Sequence, residues 1–154
     1  MYKNKTITIG SHLLVWLTLF CLPYLLSYGQ EQEINRVIAH FWIPLFFSSI
    51  IFYFNYFVLV DRFLFPKKTF LFIVVNTALI GLFLFLKEYI EDNYFQDILK
   101  KRLANTNRVE PPFKMAIYIQ LLSYLAPLFF SVALKSTKRW IKTEAERKEA
   151  ANFK

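Results

Sequence analysis

Four stretches of this 154-residue chain carry no Asp, Glu, Lys or Arg and are apolar almost throughout: Ile7 to Tyr28, Phe41 to Val60, Phe70 to Leu86 and Met115 to Leu134. At about 1.5 Å of rise per helical residue, a run of roughly 20 apolar residues crosses a hydrocarbon core about 30 Å thick. In that medium the backbone must satisfy its own hydrogen bonds, which a helix does within one segment. The third run is the shortest, yet 13 of its 17 residues are Leu, Ile, Val or Phe. At about −0.3 to −0.6 kcal/mol for each central residue, its insertion is favourable even with Asn76 inside. The pattern predicts an all-α fold, a four-helix transmembrane bundle with a C-terminal cytosolic helix.

Composition supports the same class. A soluble domain of this length with 56% hydrophobic residues, 18 Phe and 9 Tyr would leave too much apolar surface wet. The net charge of +8 would suit a nucleic-acid binder, but the basic residues gather at the ends of the apolar runs. Orientation in a bilayer explains that placement better, so the lipid bilayer is the expected partner and nucleic acid is not. Cys21, the single cysteine, lies within an apolar run and is expected to pack there as a small residue.

Lys and Arg in the short connections set the topology. Lys3 and Lys5 precede the first run, Arg62, Lys67 and Lys68 lie between the second and third, and seven more follow Leu134, together 12 of the 19 basic residues. By the positive-inside rule, the N-terminus, the 61–69 loop and the tail face the cytoplasm of a multi-pass protein. Lys3, Lys5 and Ser27-Tyr28-Gly29 also have the layout of a cleavable signal, although the run between them is longer than a signal core. Cleavage would leave the tail on the same side.

Residues 1–134 thus read as a membrane region and 135–154 as a juxtamembrane helix. The last run passes without Gly into KSTKRWIKTEAERKEAANFK, rich in strong helix formers, with Lys142/Glu146 and Glu144/Lys148 four apart. Ile141 and Ala145 offer only a weak heptad. Residues 87–114, with six basic and five acidic side chains, are too few to bury a core. Ile90, Tyr94, Ile98 and Leu103 follow helical spacing, so the third helix is expected to extend outward until 104–107 and Pro111-Pro112 interrupt it.

Polar residues inside the runs are few. Asn55, Asn76, Thr77, Gln120 and Ser123 suit hydrogen bonds between helices better than a solute path, because the runs contain no Asp, Glu, Lys or Arg to carry one. His12 and His40 lie near opposite ends of antiparallel spans and are expected at the two interfaces, not in a shared metal site. Pro44 and Pro127 are candidate kinks, and Trp16, Trp42 and Trp140 fit interfacial belts. Trp140, in the basic stretch after the last run, would fix how far the exit helix emerges. Glycines 10, 29 and 81 form no small-residue interface motif. There is no phosphate loop, catalytic triad, carboxylate pair or zinc spacing, so no catalytic, cofactor or metal residue is assigned and the chain itself is not expected to be an enzyme.

The segment NYFVLVDRFLFPKKTFLF, Asn55 to Phe72, and the tail RWIKTEAERKEA, Arg139 to Ala150, resemble the membrane region of bacterial sensor histidine kinases of the LytS/YehU type, in their four-helix form. The matching residues are Asn55, Tyr56, Phe57, Arg62, Phe63 and Leu64, and Asp61 stands where the family would have Pro. The resemblance implies a homodimer in the bacterial inner membrane whose helix packing controls a kinase core. That core would carry an Asn-Pro-His phosphoacceptor segment and a domain for ATP and Mg, and would pass phosphate to a response regulator. Neither part is present in these 154 residues, so the resemblance implies a piece cut before them. A stand-alone four-span scaffold or partner protein is the alternative.

Overall fold

The computed structural model describes residues 2–28, 34–98, 100 and 113–153. Four long apolar helices account for nearly all of them: α1, Tyr2–Ser27; α2, Ile34–Leu64; α3, Thr69–Tyr94; and α4, Phe113–Asn152. Each is long and apolar enough to cross a membrane. The fold is all-α, as the four uncharged runs predict. In α1 the polar side chains are turned onto their own helix, with the Ser11 hydroxyl donating to the Thr8 carbonyl and the Thr18 hydroxyl to that of Leu14, both at 2.8 Å. Such bonds let hydroxyls sit in an apolar span without an orphaned donor.

Two stretches of α2 depart from α-geometry. Ile38–Trp42 and Asn55–Leu64 are wound as π-helix, with bonds reaching five residues back, as from the Ile43 N–H to the Ile38 carbonyl and from the Phe65 N–H to that of Val60. Pro44 explains the first. It has no N–H for the His40 carbonyl, and its ring would crowd that carbonyl in an α-turn. The wider turn relieves the conflict, so the kink expected at Pro44 takes the form of a π segment. Pro127 lies inside an uninterrupted α4.

A six-residue capping turn ends α2. Lys68 N–H bonds to the Phe63 carbonyl at 2.8 Å and Lys67 N–H to that of Leu64 at 3.1 Å, with Lys67 in the left-handed region at φ 63°. This is the Schellman arrangement, in which the left-handed position favours glycine. Lys67→Gly is therefore expected to raise unfolding free energy by about 0.5–1 kcal/mol, read as a later midpoint in a detergent unfolding titration. No gain would mean that the turn relaxes without strain.

The residues fall into two compact units, Met1–Phe46 with Leu86–Val109, and Phe47–Phe85 with Glu110–Lys154. In the first, the Trp42 indole donates to the Phe20 carbonyl of α1 at 2.9 Å, and Val37 and Ala39 are buried. Glu91 pairs with Lys87 at 2.8 Å, and His40 Nδ1 lies 3.9 Å from the same carboxylate. In the second, Phe47, Ile51, Asn55, Leu59 and Val60 of α2 are buried with Phe72, Asn76, Ile80 and Phe83 of α3 and Tyr124, Leu128 and Ser131 of α4. In α3 and α4 these positions recur three or four apart, one buried stripe per helix, while α2, which also buries Phe52 and Tyr56, presents two adjacent rows, 47/51/55/59 and 52/56/60. Phe47 stacks on Phe83 with centroids 4.7 Å apart, and Phe52 meets Phe130 at 6.1 Å, so α2 packs against both other helices of this unit.

Several expectations for single residues change. Cys21 is exposed, not packed. Of the five span amides and hydroxyls, only Asn55 and Asn76 bond between helices: the Gln120 amide donates to the Tyr124 hydroxyl and the Ser123 hydroxyl to the Ile119 carbonyl, both within α4, while Thr77 is exposed. Four-residue spacing on one helix puts those partners nearer than any neighbouring span. The outward extension of the third helix reaches Tyr94, with Ile98 N–H bonding to the Phe95 carbonyl beyond it. Leu103, residues 104–107, Pro111-Pro112 and Gly29 lie outside the described residues.

Candidate functional site at the junction of α2 and α4

The polar contacts that tie α4 to α2 concentrate where both helices leave their apolar runs. Lys138 Nζ donates to the Tyr56 hydroxyl at 2.7 Å, and Lys135 Nζ meets Asp61 Oδ2 at 3.0 Å. Lys135 also lies over the Tyr56 ring, 4.8 Å from its centroid, and the Arg139 guanidinium covers the Phe65 ring at 4.1 Å. Tyr56 is buried and stacks on Phe52 at 5.9 Å, so the ring that receives the two lysines is fixed from behind.

The π segment makes this possible. Residues five apart on an α-helix point about 140° away from each other, given 3.6 residues per turn. Bonding from i to i+5 winds the chain more loosely and brings such residues towards one line. Tyr56, Asp61 and Phe65 thereby face α4 together, where Lys135, Lys138 and Arg139 sit at i, i+3 and i+4 on one face. Each polar contact is modest alone: about 0–1 kcal/mol for the half-exposed Lys135–Asp61 pair and about 0.5–1 kcal/mol for an exposed cation over a ring. Acting together they fix both the rotation and the height of α4 against α2.

Deeper in the same unit, Asn55 and Asn76 join α2 to α3. Asn55 Nδ2 donates to Asn76 Oδ1 at 2.7 Å and to the Ile51 carbonyl at 2.9 Å, while Asn76 Nδ2 donates to the Phe72 carbonyl at 3.0 Å. Asn55 Oδ1 is buried with no hydrogen-bond partner. A polar pair in an apolar layer specifies one register between the helices, since sliding either would orphan further groups. The site is therefore mechanical and electrostatic: a pinned α2–α3 pair carrying a cation-and-ring clasp on α4.

Tyr56, Asp61 and Phe65 as partners of Lys135, Lys138 and Arg139 are not evident from residue types, because α-helical spacing separates Tyr56 from Asp61. The legible sign was the row of three cations at i, i+3 and i+4 just beyond the last span. Trp140 is two-thirds exposed, beside Phe65 and Arg139 on a shallow groove. Ile141 and Ala145 are exposed, and the Lys142–Glu146 pair forms at 3.9 Å. Among the described residues no group of three His, Cys, Asp or Glu side chains is placed to hold a metal ion.

Four helices able to span a bilayer define a candidate multi-pass membrane protein with four spans. No family model, no curated protein and no solved structure matches the chain.

Proposed function

We propose that this chain is the membrane input region of a sensor histidine kinase of the LytS/YehU type, with both termini cytoplasmic in a bacterial inner membrane. The supporting observation is the clasp. The two stretches that carry the resemblance, residues 55–72 and 139–150, are far apart in sequence and adjoin at Phe65 and Arg139, beside the Tyr56–Lys138 bond. A change in packing of α2 would shift Tyr56 and Asp61, and through Lys135 and Lys138 would turn or raise α4. A long helix without Gly or Pro after Leu128 carries such a movement outward with little loss. In a homodimer, two such helices would set the geometry in which a downstream core phosphorylates its own histidine from ATP and then serves a response regulator.

Reading the gene past the codon for Lys154 tests this directly. The expected result is an open frame that reaches an Asn-Pro-His segment within about one helix and then a nucleotide-binding domain. In that protein, replacing residues 135–154 with a flexible Gly/Ser linker is expected to leave ATP-dependent autophosphorylation insensitive to Tyr56→Ala, whereas the intact protein responds to it. A stop codon directly after Lys154 would sink the kinase reading and favour a stand-alone membrane scaffold.

A further inference from the structure

We propose that the groove between Phe65 and α4 holds the headgroup of an anionic phospholipid, with its phosphate on the Arg139 guanidinium. The inference rests on α4 leaving the bilayer after Leu134 and stands whether or not a kinase core follows. Ser136, Arg139 and Trp140 line the groove two, five and six residues beyond Leu134. At about 1.5 Å per residue their backbones lie roughly 3–9 Å past the last apolar residue, from the headgroup layer to its outer edge, within reach of long side chains that turn back towards it. Glu144 and Arg147, at the outer end of the groove, have their backbones about 15–20 Å past Leu134, and their opposite charges offset each other there.

The chemistry at the level of Arg139 is one-sided. The Arg139 guanidinium lies over the Phe65 ring at 4.1 Å, and its side chain is otherwise exposed. Among the described residues, no carboxylate or carbonyl accepts from Arg139, from the Trp140 indole or from the Ser136 hydroxyl. The neighbouring Lys135 and Lys138, in contrast, are already committed to Asp61 and Tyr56. A guanidinium fork braced by a ring, with an indole N–H and a hydroxyl lining the same groove and none of the three donating to a protein acceptor, matches a phosphodiester. The Phe65 ring and the indole body supply apolar walls for the glycerol and upper acyl region, the place an interfacial Trp takes.

Native mass spectrometry of the full chain in detergent, with matched phosphatidylglycerol and phosphatidylcholine as probes, tests the site. Wild-type protein is expected to retain phosphatidylglycerol about tenfold better than phosphatidylcholine, and Arg139→Gln to reduce that preference to about twofold. Lys148→Gln removes one positive charge from the same helix outside the groove and is expected to leave the preference intact. Trp140→Phe, which keeps the ring and loses the N–H, is expected to weaken it about two- to threefold. Equal retention of the two lipids, equal losses in Arg139→Gln and Lys148→Gln, or displacement of the lipid by inorganic phosphate would overturn the proposal. The second of these outcomes would mean diffuse attraction to the whole tail, and the third a site for free anions.

Discussion

Tyr56→Ala is expected to lower the unfolding free energy by about 3 kcal/mol, near the lower end for truncating a buried aromatic side chain. The ring is buried, stacked on Phe52, and under both lysines of α4, so its removal takes away packing, the hydroxyl acceptor and the seat of Lys135 in one step. Tyr56→Phe separates these terms. It keeps the ring and the cation above it and removes only the acceptor of Lys138, a bond near the water-facing end that is worth about 1 kcal/mol. A detergent unfolding titration reads both values, and a spin label at Thr143 should report freer motion of α4 in the Ala variant than in the Phe variant. If the two substitutions cost the same, the hydroxyl alone holds the helices and the role assigned to the ring is wrong.

The second large effect is expected in the apolar layer. Asn76→Asp should destabilise by about 2.5–3.5 kcal/mol at neutral pH, the cost of placing a carboxylate near the middle of a span. Asn76 is almost fully buried, and no Lys or Arg lies within its apolar run to compensate a charge. Asn76→Leu should cost about 1 kcal/mol or less, because Asn55 Nδ2 keeps its bond to the Ile51 carbonyl. Unfolding titrations at neutral pH distinguish the cases, and equal losses for Asn76→Asp and Asn76→Leu would show that water reaches the pair.

The long elements were legible because their signals are dense. Runs of Leu, Ile, Val and Phe without a charge can be hidden only by lipid or by each other, and the absence of Gly after Gly81 lets α4 continue from Phe113 into the charged tail as one helix. Bonding between helices by Asn55 and Asn76 was likewise expected, but which of the five polar span residues pair with each other came only from the structure. The π segment at Asn55–Leu64 was not, because a shift from four-residue to five-residue bonding carries no residue signature away from proline. That one shift hid the clasp, because α-helical spacing puts Tyr56 on a different face from Asp61 and Phe65. Gln120 and Ser123 were misjudged for a related reason: a partner on the same helix four residues away outcompetes one across a span boundary.

The central claim is that α2 holds α4 through the Asp61 and Tyr56 contacts at the exit from the apolar runs. Its most direct test is crosslinking in native membranes, in a Cys21→Ser background carrying Asp61→Cys and Lys135→Cys, with a short bifunctional thiol reagent and mass spectrometry of the linked peptides. The account predicts a high-yield link between positions 61 and 135 that falls sharply when Tyr56→Ala is added. A link absent in the parent protein, or one indifferent to Tyr56, would contradict it.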